Sequence, residues 1–122
     1  MACVLVVEDD EQVRVLAESI IQEAGHRTVT AASVDEAMAL LAGDISIEAL
    51  FTDIALRDAP AGGLELATKA RELRPKLRVL YTSGQPVTDG TTAMFVDRGA
   101  VLPKPYTSDQ LKDALCALLK AR

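Results

Sequence analysis

The chain has few aromatic residues, little cysteine and a single histidine. Aromatic residues make up 3% of its 122 residues and tryptophan is absent, so a folded core must be built mainly from aliphatic side chains. One histidine, His26, is too few for a histidine metal cluster or a Ser-His-Asp triad. Cys3 and Cys116 do not form a disulfide framework, and we expect both to be buried reduced thiols.

The chain also lacks clustered positive charge and long apolar runs. Its 13 Lys and Arg residues are scattered, 18 Asp and Glu residues outnumber them, and the net charge is −5. We therefore expect no nucleic-acid surface. No signal peptide or membrane-length apolar run is present, which favours a cytoplasmic protein without membrane contact. No repeat or linker divides the chain, so residues 1–122 are expected to form one domain with no output domain.

Short apolar runs alternate with amphipathic stretches along the chain. The runs predict strands at 3–7, 27–31, 47–52, 77–82 and 100–102. Between them, apolar residues at helical spacing predict helices, with capping boxes at Ser33 with Glu36 and at Thr107 with Gln110. A fourth helix is expected over 86–98, although Gly90 and the Thr91-Thr92 pair weaken it. Five strand–helix repeats predict an α/β fold, a single (βα)5 doubly wound parallel sheet.

Polar residues follow four of the predicted strands. They are the acidic run Glu8-Asp9-Asp10-Glu11, then Asp53, then Thr82-Ser83-Gly84, and finally Lys104-Pro105. The carboxyl ends of parallel strands lie on one edge of a sheet, where ligands bind, so we expect these side chains to converge.

Such a group could accept a phosphoryl unit. One aspartate is enough to cap a helix, and crowding several acids beside Asp53 causes charge repulsion that a divalent cation such as Mg²⁺ would relieve. Asp53 would be the nucleophile, Lys104 would hold a phosphoryl oxygen, and the Ser83 hydroxyl would detect the phosphate. Two simpler explanations stay open: the acids only cap a helix, and Asp53 only begins a turn.

The motifs Val4-Leu5-Val6-Val7-Glu8-Asp9, Phe51-Thr52-Asp53, Val79-Leu80-Tyr81-Thr82-Ser83-Gly84 and Leu102-Pro103-Lys104-Pro105 resemble those of response-regulator receiver domains. The resemblance covers the whole chain, and the spacing of Asp53 from Ser83 matches the family's switch hydroxyl. It implies a flavodoxin-like sheet of order 2-1-3-4-5, an arrangement known from receiver proteins. It also implies that a histidine kinase or histidine phosphotransfer protein phosphorylates Asp53, which switches binding to a downstream protein.

The same resemblance implies the ligands of Mg²⁺. Asp9 and Asp53 would bind it directly, the Ala55 carbonyl would be a third ligand, and Glu8 would act through water. The Lys104-Pro105 peptide bond would be cis, as it is in the family.

Two positions depart from the family pattern. Leu56-Arg57 stands where the family usually has Met-Pro, and Val101 stands where a rotating aromatic is usual. We therefore hypothesise that a phosphorylation signal passes through the Ser83 loop and the fourth helix, without an aromatic switch. The Gly62-Gly63 pair is expected to form the turn into the third helix.

The sequence leaves three alternatives to a phosphorylated receiver. A haloacid-dehalogenase-like phosphohydrolase would need a second Asp two residues after Asp53, where this chain has Ala55, so we expect no enzyme acting on outside substrates. A nucleotide or flavin binder would have glycines after the first strand, where Glu8-Asp9-Asp10 would repel a pyrophosphate. A receiver-like interaction module that is not regulated by phosphorylation is the remaining alternative.

Overall fold

A parallel five-stranded sheet forms the centre of the molecule. The computed structural model describes residues 2–56 and 59–120, so Arg57 of the Leu56-Arg57 pair lies outside the described residues. The strands are β1 (Cys3–Val7), β2 (Arg27–Ala31), β3 (Ala49–Asp53), β4 (Arg78–Ser83) and β5 (Ala100–Pro103). The helices are α1 (Glu11–Glu23), α2 (Val34–Ala42), α3 (Gly62–Leu73), α4 (Asp89–Thr92) and α5 (Ser108–Lys120). All strand pairs are parallel in the order β2-β1-β3-β4-β5, which confirms the predicted fold.

The core has two apolar layers, one on each face of the sheet. Along β1, Leu5 and Val7 join the layer beneath α2 and α3, whereas Val4 and Val6 join the layer beneath α1 and α5. Alternate residues of a strand face opposite sides, so a strand covered on both sides must be apolar throughout. The continuous apolar runs in the sequence reflect this double burial. Tyr81 is among the largest fully buried side chains, and Phe51 is buried as well.

The predicted capping box is present in full at the start of α5 and in part at the start of α2, where the Glu36 side chain accepts from the Ala32 amide at 3.3 Å. The Ser33 hydroxyl accepts a hydrogen bond from the Glu36 amide at 3.2 Å. The Thr107 hydroxyl accepts from the Gln110 amide at 3.1 Å, and the Gln110 side chain accepts from the Thr107 amide at 2.8 Å. These bonds satisfy amides that the first helical turn leaves unpaired, and they fix where each helix begins.

The fourth helix is much shorter than expected. The prediction of a helix over 86–98 is wrong in extent, because α4 covers only Asp89–Thr92. In a longer helix the Val96 amide would donate to the carbonyl four residues earlier. It donates instead to the Tyr81 hydroxyl at 3.0 Å, and the Phe95 ring stacks on the Tyr81 ring. The chain therefore leaves the helix in order to pack against β4.

The prediction for the two cysteines is correct for Cys3 and wrong for Cys116. Both are free thiols, but Cys116 is exposed. In α5 the buried residues are Leu111, Leu115 and Leu118, which define the inward face. Cys116 follows Leu115 by one residue, which is a rotation of roughly 100° about the helix axis, so its side chain points away from the core.

Candidate functional site

Three carboxylates meet at the carboxyl ends of β1 and β3. These strands are neighbours, with Val7 of β1 beside Thr52 of β3, so the residues that follow them lie close together. One carboxylate oxygen from each of Glu8, Asp9 and Asp53 lies within 4.8 Å of the others. Glu8 and Asp53 are buried, with exposures of 5% and 8%. The sequence therefore placed these three acids together correctly.

Lys104 brings a positive charge to the same group from the loop after β5. Its Nζ lies 2.7 Å from Glu8 Oε1 and 2.7 Å from Asp53 Oδ2. The Lys104 amide donates to the Ser83 carbonyl at 2.9 Å, which continues the pairing of β4 with β5 up to the site. The Lys104-Pro105 peptide bond is cis, as the resemblance implied.

Burial and charge act in opposite directions on these groups. Burial is the largest influence on Glu8 and raises the pKa of its carboxyl, although the hydrogen bond from Lys104 opposes this. Burial would lower the pKa of Lys104, but its hydrogen bonds to Asp53 and Glu8 outweigh that effect, so the pKa is raised. Lys104 is therefore a permanent cation at neutral pH.

The group has an excess of negative charge that a divalent cation would balance. With all groups ionised, the carboxylates of Glu8, Asp9 and Asp53 carry three negative charges and Lys104 carries one positive charge, which leaves two negative charges. Carboxylate oxygens are the ligands that Mg²⁺ prefers. The residues present therefore fit a divalent cation of this kind.

The remaining acids of the run after β1 have another role. Asp10 is the N-cap of α1, and its carboxylate accepts hydrogen bonds from the Gln12 and Val13 amides at 3.0 and 3.2 Å. Glu11 lies in the first turn, where negative charge is favourable. Helix capping therefore explains Asp10 and Glu11, whereas Glu8 and Asp9 belong to the carboxylate group.

Backbone groups complete the surroundings of Asp53. Its Oδ1 accepts a hydrogen bond from the Ala55 amide at 3.2 Å, so both of its oxygens have polar partners. The assignment of the Ala55 carbonyl as a metal ligand stays a prediction.

Two hydroxyl groups end β4, and their bonds differ. Thr82 pairs with Asp53 across the sheet, but its hydroxyl donates to the Leu102 carbonyl at 2.7 Å. Among residues 2–56 and 59–120, the Ser83 hydroxyl bonds only within its own loop, accepting from the Gln85 amide and donating to the Gln85 carbonyl, both at 3.1 Å. Ser83 thus lies at the same sheet edge as Asp53 with a hydroxyl held by local contacts. Its role as the phosphate-sensing hydroxyl stays a prediction.

Gly63 is a residue of the site whose importance the sequence did not reveal. Gly62 and Gly63 are the first residues of α3 and not a separate turn before it. A Cβ atom on Gly63 would lie 2.0 Å from the Asp53 carbonyl oxygen and 2.8 Å from the Ile54 Cα. Only glycine therefore lets α3 begin directly against the backbone of Asp53. A glycine pair at the start of a helix was the sequence signal that could have revealed this role, because glycine is unfavourable inside helices.

The sequence matches the response regulator receiver domain family over residues 4–116, and the chain belongs to this family. It is 30% identical, over 112 residues, to the DNA-binding transcriptional regulator NtrC of Azospirillum brasilense. That match covers 90% of this chain but 22% of the relative, so the chain spans less than a quarter of that protein's length.

Solved structures of receiver proteins share the fold. A response regulator receiver protein from Sinorhizobium medicae superposes with a TM-score of 0.89 at 29% identity, covering 98% of this chain and 95% of that one. NtrX from Brucella abortus superposes with a TM-score of 0.85 at 30% identity, covering 98% of this chain and 27% of that one. Within residues 2–56 and 59–120, no helix combines the length and apolar character needed to cross a membrane.

Proposed function

We propose that this receiver domain accepts a phosphoryl group on Asp53 from the phosphohistidine of a histidine kinase or histidine phosphotransfer protein. An Asp53 carboxylate oxygen would attack phosphorus, the phosphorus–nitrogen bond would break, and its electron pair would stay on the imidazole, which then takes up a proton. The observation that carries the proposal is the contact of 2.7 Å between Lys104 Nζ and Asp53 Oδ2 inside a group of three carboxylates.

Glu8, Asp9 and Asp53 are the side chains that would hold Mg²⁺, with the Ala55 carbonyl as a further ligand. Bound there, the ion supplies positive charge that neutralises the phosphoryl oxygens. Lys104 would hold a different phosphoryl oxygen with its ammonium group, since it already lies at hydrogen-bond distance from Asp53. Ser83 would donate its hydroxyl proton to a phosphoryl oxygen in place of the Gln85 carbonyl.

A protein partner must bring its phosphohistidine to this edge, and the neighbouring surface suits such a contact. A shallow depression of about 400 Å³ adjoins Lys104 and is lined by Val13, Leu16, Gly84, Pro105 and Tyr106. Leu16 is 57% exposed, and Val15 beside it is 54% exposed. Exposed apolar side chains next to a charged site are typical of protein-binding surfaces.

The proposed domain is a switch and not an enzyme that turns over outside substrates. Each chain would accept one phosphoryl group, change its binding to a downstream protein, and return to the resting state when the aspartyl phosphate hydrolyses. Position 55, where phosphohydrolases with an aspartate nucleophile carry a second aspartate, is Ala55. We also propose a cytoplasmic location and no direct contact with nucleic acid or membrane, in keeping with the net charge of −5.

Incubation with a small acyl phosphate and Mg²⁺, followed by intact-protein mass spectrometry, tests the proposal. We expect the mass of one phosphoryl group to be added, and we expect chelation of Mg²⁺ or the change Asp53→Ala to prevent it. Asp113→Ala, at an exposed position on α5, is the matched control and should be labelled like the wild type. Equal labelling of Asp53→Ala and wild type would contradict the proposal.

A further inference from the structure

Tyr81 joins β4 to the chain segment that precedes β5. The ring is fully buried, and its hydroxyl accepts a hydrogen bond from the Val96 amide at 3.0 Å. The ring also stacks on Phe95, with centroids 4.2 Å apart and an interplanar angle of 21°. Tyr81 therefore attaches residues 93 to 99, here called the 93–99 segment, to β4.

The space that Tyr81 occupies depends on small residues around it. A Cβ on Gly99 would lie 2.9 Å from the ring, so a larger residue there would collide with it. Val101 pairs with Tyr81 across β4 and β5, and it packs against the same apolar layer. The chain therefore has a buried aromatic residue on β4, beside the β5 position that holds valine.

Ser83 lies two residues beyond Tyr81 in β4, on the same face of the strand. In this structure its hydroxyl donates to the Gln85 carbonyl, so it must give up that bond before it can donate to a phosphoryl oxygen. Such an exchange changes the end of β4 and the loop that begins at Gly84. Tyr81 is the nearest side chain on that face of β4 that also contacts the 93–99 segment.

We propose that Tyr81 couples the Ser83 hydroxyl to the 93–99 segment, through its hydrogen bond to Val96 and its stacking on Phe95. This inference rests on the proposed phosphorylation of Asp53. The sequence alone led to the hypothesis of a signal path without an aromatic residue. In this proposal the path includes an aromatic residue, which belongs to β4. Met94, which is 55% exposed, carries the change to the surface.

Amide hydrogen exchange with and without beryllium fluoride and Mg²⁺, a mimic of the phosphoryl group, tests the coupling. In the wild type we expect altered exchange in both 84–92 and the 93–99 segment. Tyr81→Phe keeps the ring and removes the hydroxyl, so the change in 84–92 should persist. The change in the 93–99 segment should fall below about half of the wild-type value.

Thr28→Val is the matched control, because it removes a hydrogen-bonded hydroxyl from β2, which β1 and β3 separate from β4, and it should behave like the wild type. Phe95→Leu removes the ring stack without altering β4 and should also weaken the response of the 93–99 segment. A full response of that segment in Tyr81→Phe, or none in the wild type while 84–92 responds, would overturn the coupling. Parallel mass measurements after acyl phosphate treatment separate this result from the proposed function: if wild type gains no phosphoryl group, the proposed function itself fails.

Discussion

Gly63→Ala tests the close packing that positions Asp53. The added Cβ would lie 2.0 Å from the Asp53 carbonyl oxygen, whereas real Cβ contacts essentially never fall below 3.0 Å. Helix α3 or the Asp53 peptide must therefore shift by about 1 Å. Two hydrogen bonds hold this region, from the Gly63 amide to the Ile54 carbonyl and from the Ile54 amide to the Thr82 carbonyl, both 2.9 Å long.

A shift of that size weakens both bonds and strains the start of α3. Overpacking costs about 1–3 kcal/mol and each hydrogen bond contributes about 1 kcal/mol, so we expect a loss of about 3–5 kcal/mol. Small domains are stable by only about 5–15 kcal/mol, so the variant should be marginally folded. Because the shift acts on the Asp53 backbone, phosphoryl labelling of the folded fraction should fall as well.

Equilibrium unfolding in urea measures the loss. Gly90→Ala is the matched control, because its Cβ would make only an ordinary contact of 3.7 Å in α4, and alanine favours a helix. We expect this control to be as stable as the wild type or slightly more stable. If Gly63→Ala unfolds within about 0.5 kcal/mol of the wild type, the packing argument for Gly63 is wrong.

Three further predictions concern charge, the partner and pH. Lys104→Met should slow labelling by an acyl phosphate about 100-fold, because the ammonium beside Asp53 is lost; an unchanged rate would contradict its role. Leu16→Asp should slow phosphoryl transfer from any histidine kinase that labels the wild type, but not from an acyl phosphate; equal effects on both would exclude Leu16 from the docking surface. Burial raises the pKa of Tyr81 in the folded protein, so the unfolded chain ionises first as the pH rises. The stability that the buried, neutral Tyr81 contributes is therefore present below about pH 10 and is lost at higher pH. Urea midpoints should therefore fall less for Tyr81→Phe than for wild type between about pH 8 and pH 10.5.

The sheet and the charged group could be predicted because they depend on simple rules. Strands buried on both faces are continuous apolar runs, as in β1, and parallel strands bring their carboxyl ends to one edge. That edge holds Asp9, Asp53 and Lys104, as expected. The order of the strands came from the resemblance of the motifs to receiver domains.

Two features that escaped prediction involve contacts between residues distant in sequence. After α4 ends, the Val96 amide donates to the Tyr81 hydroxyl, and helical propensity cannot predict that bond. The importance of Gly63 depends on how closely α3 approaches the backbone of Asp53. The exposure of Cys116 could have been inferred from the inward leucines of α5.

The chemical nature of the labelled residue tests the central claim most directly. Borohydride reduces an aspartyl phosphate to homoserine, and peptide mass spectrometry locates the converted residue. After treatment with an acyl phosphate and Mg²⁺, we predict homoserine at position 53 alone. Conversion at Asp9 or Asp10, or at no residue of a labelled chain, would contradict the account.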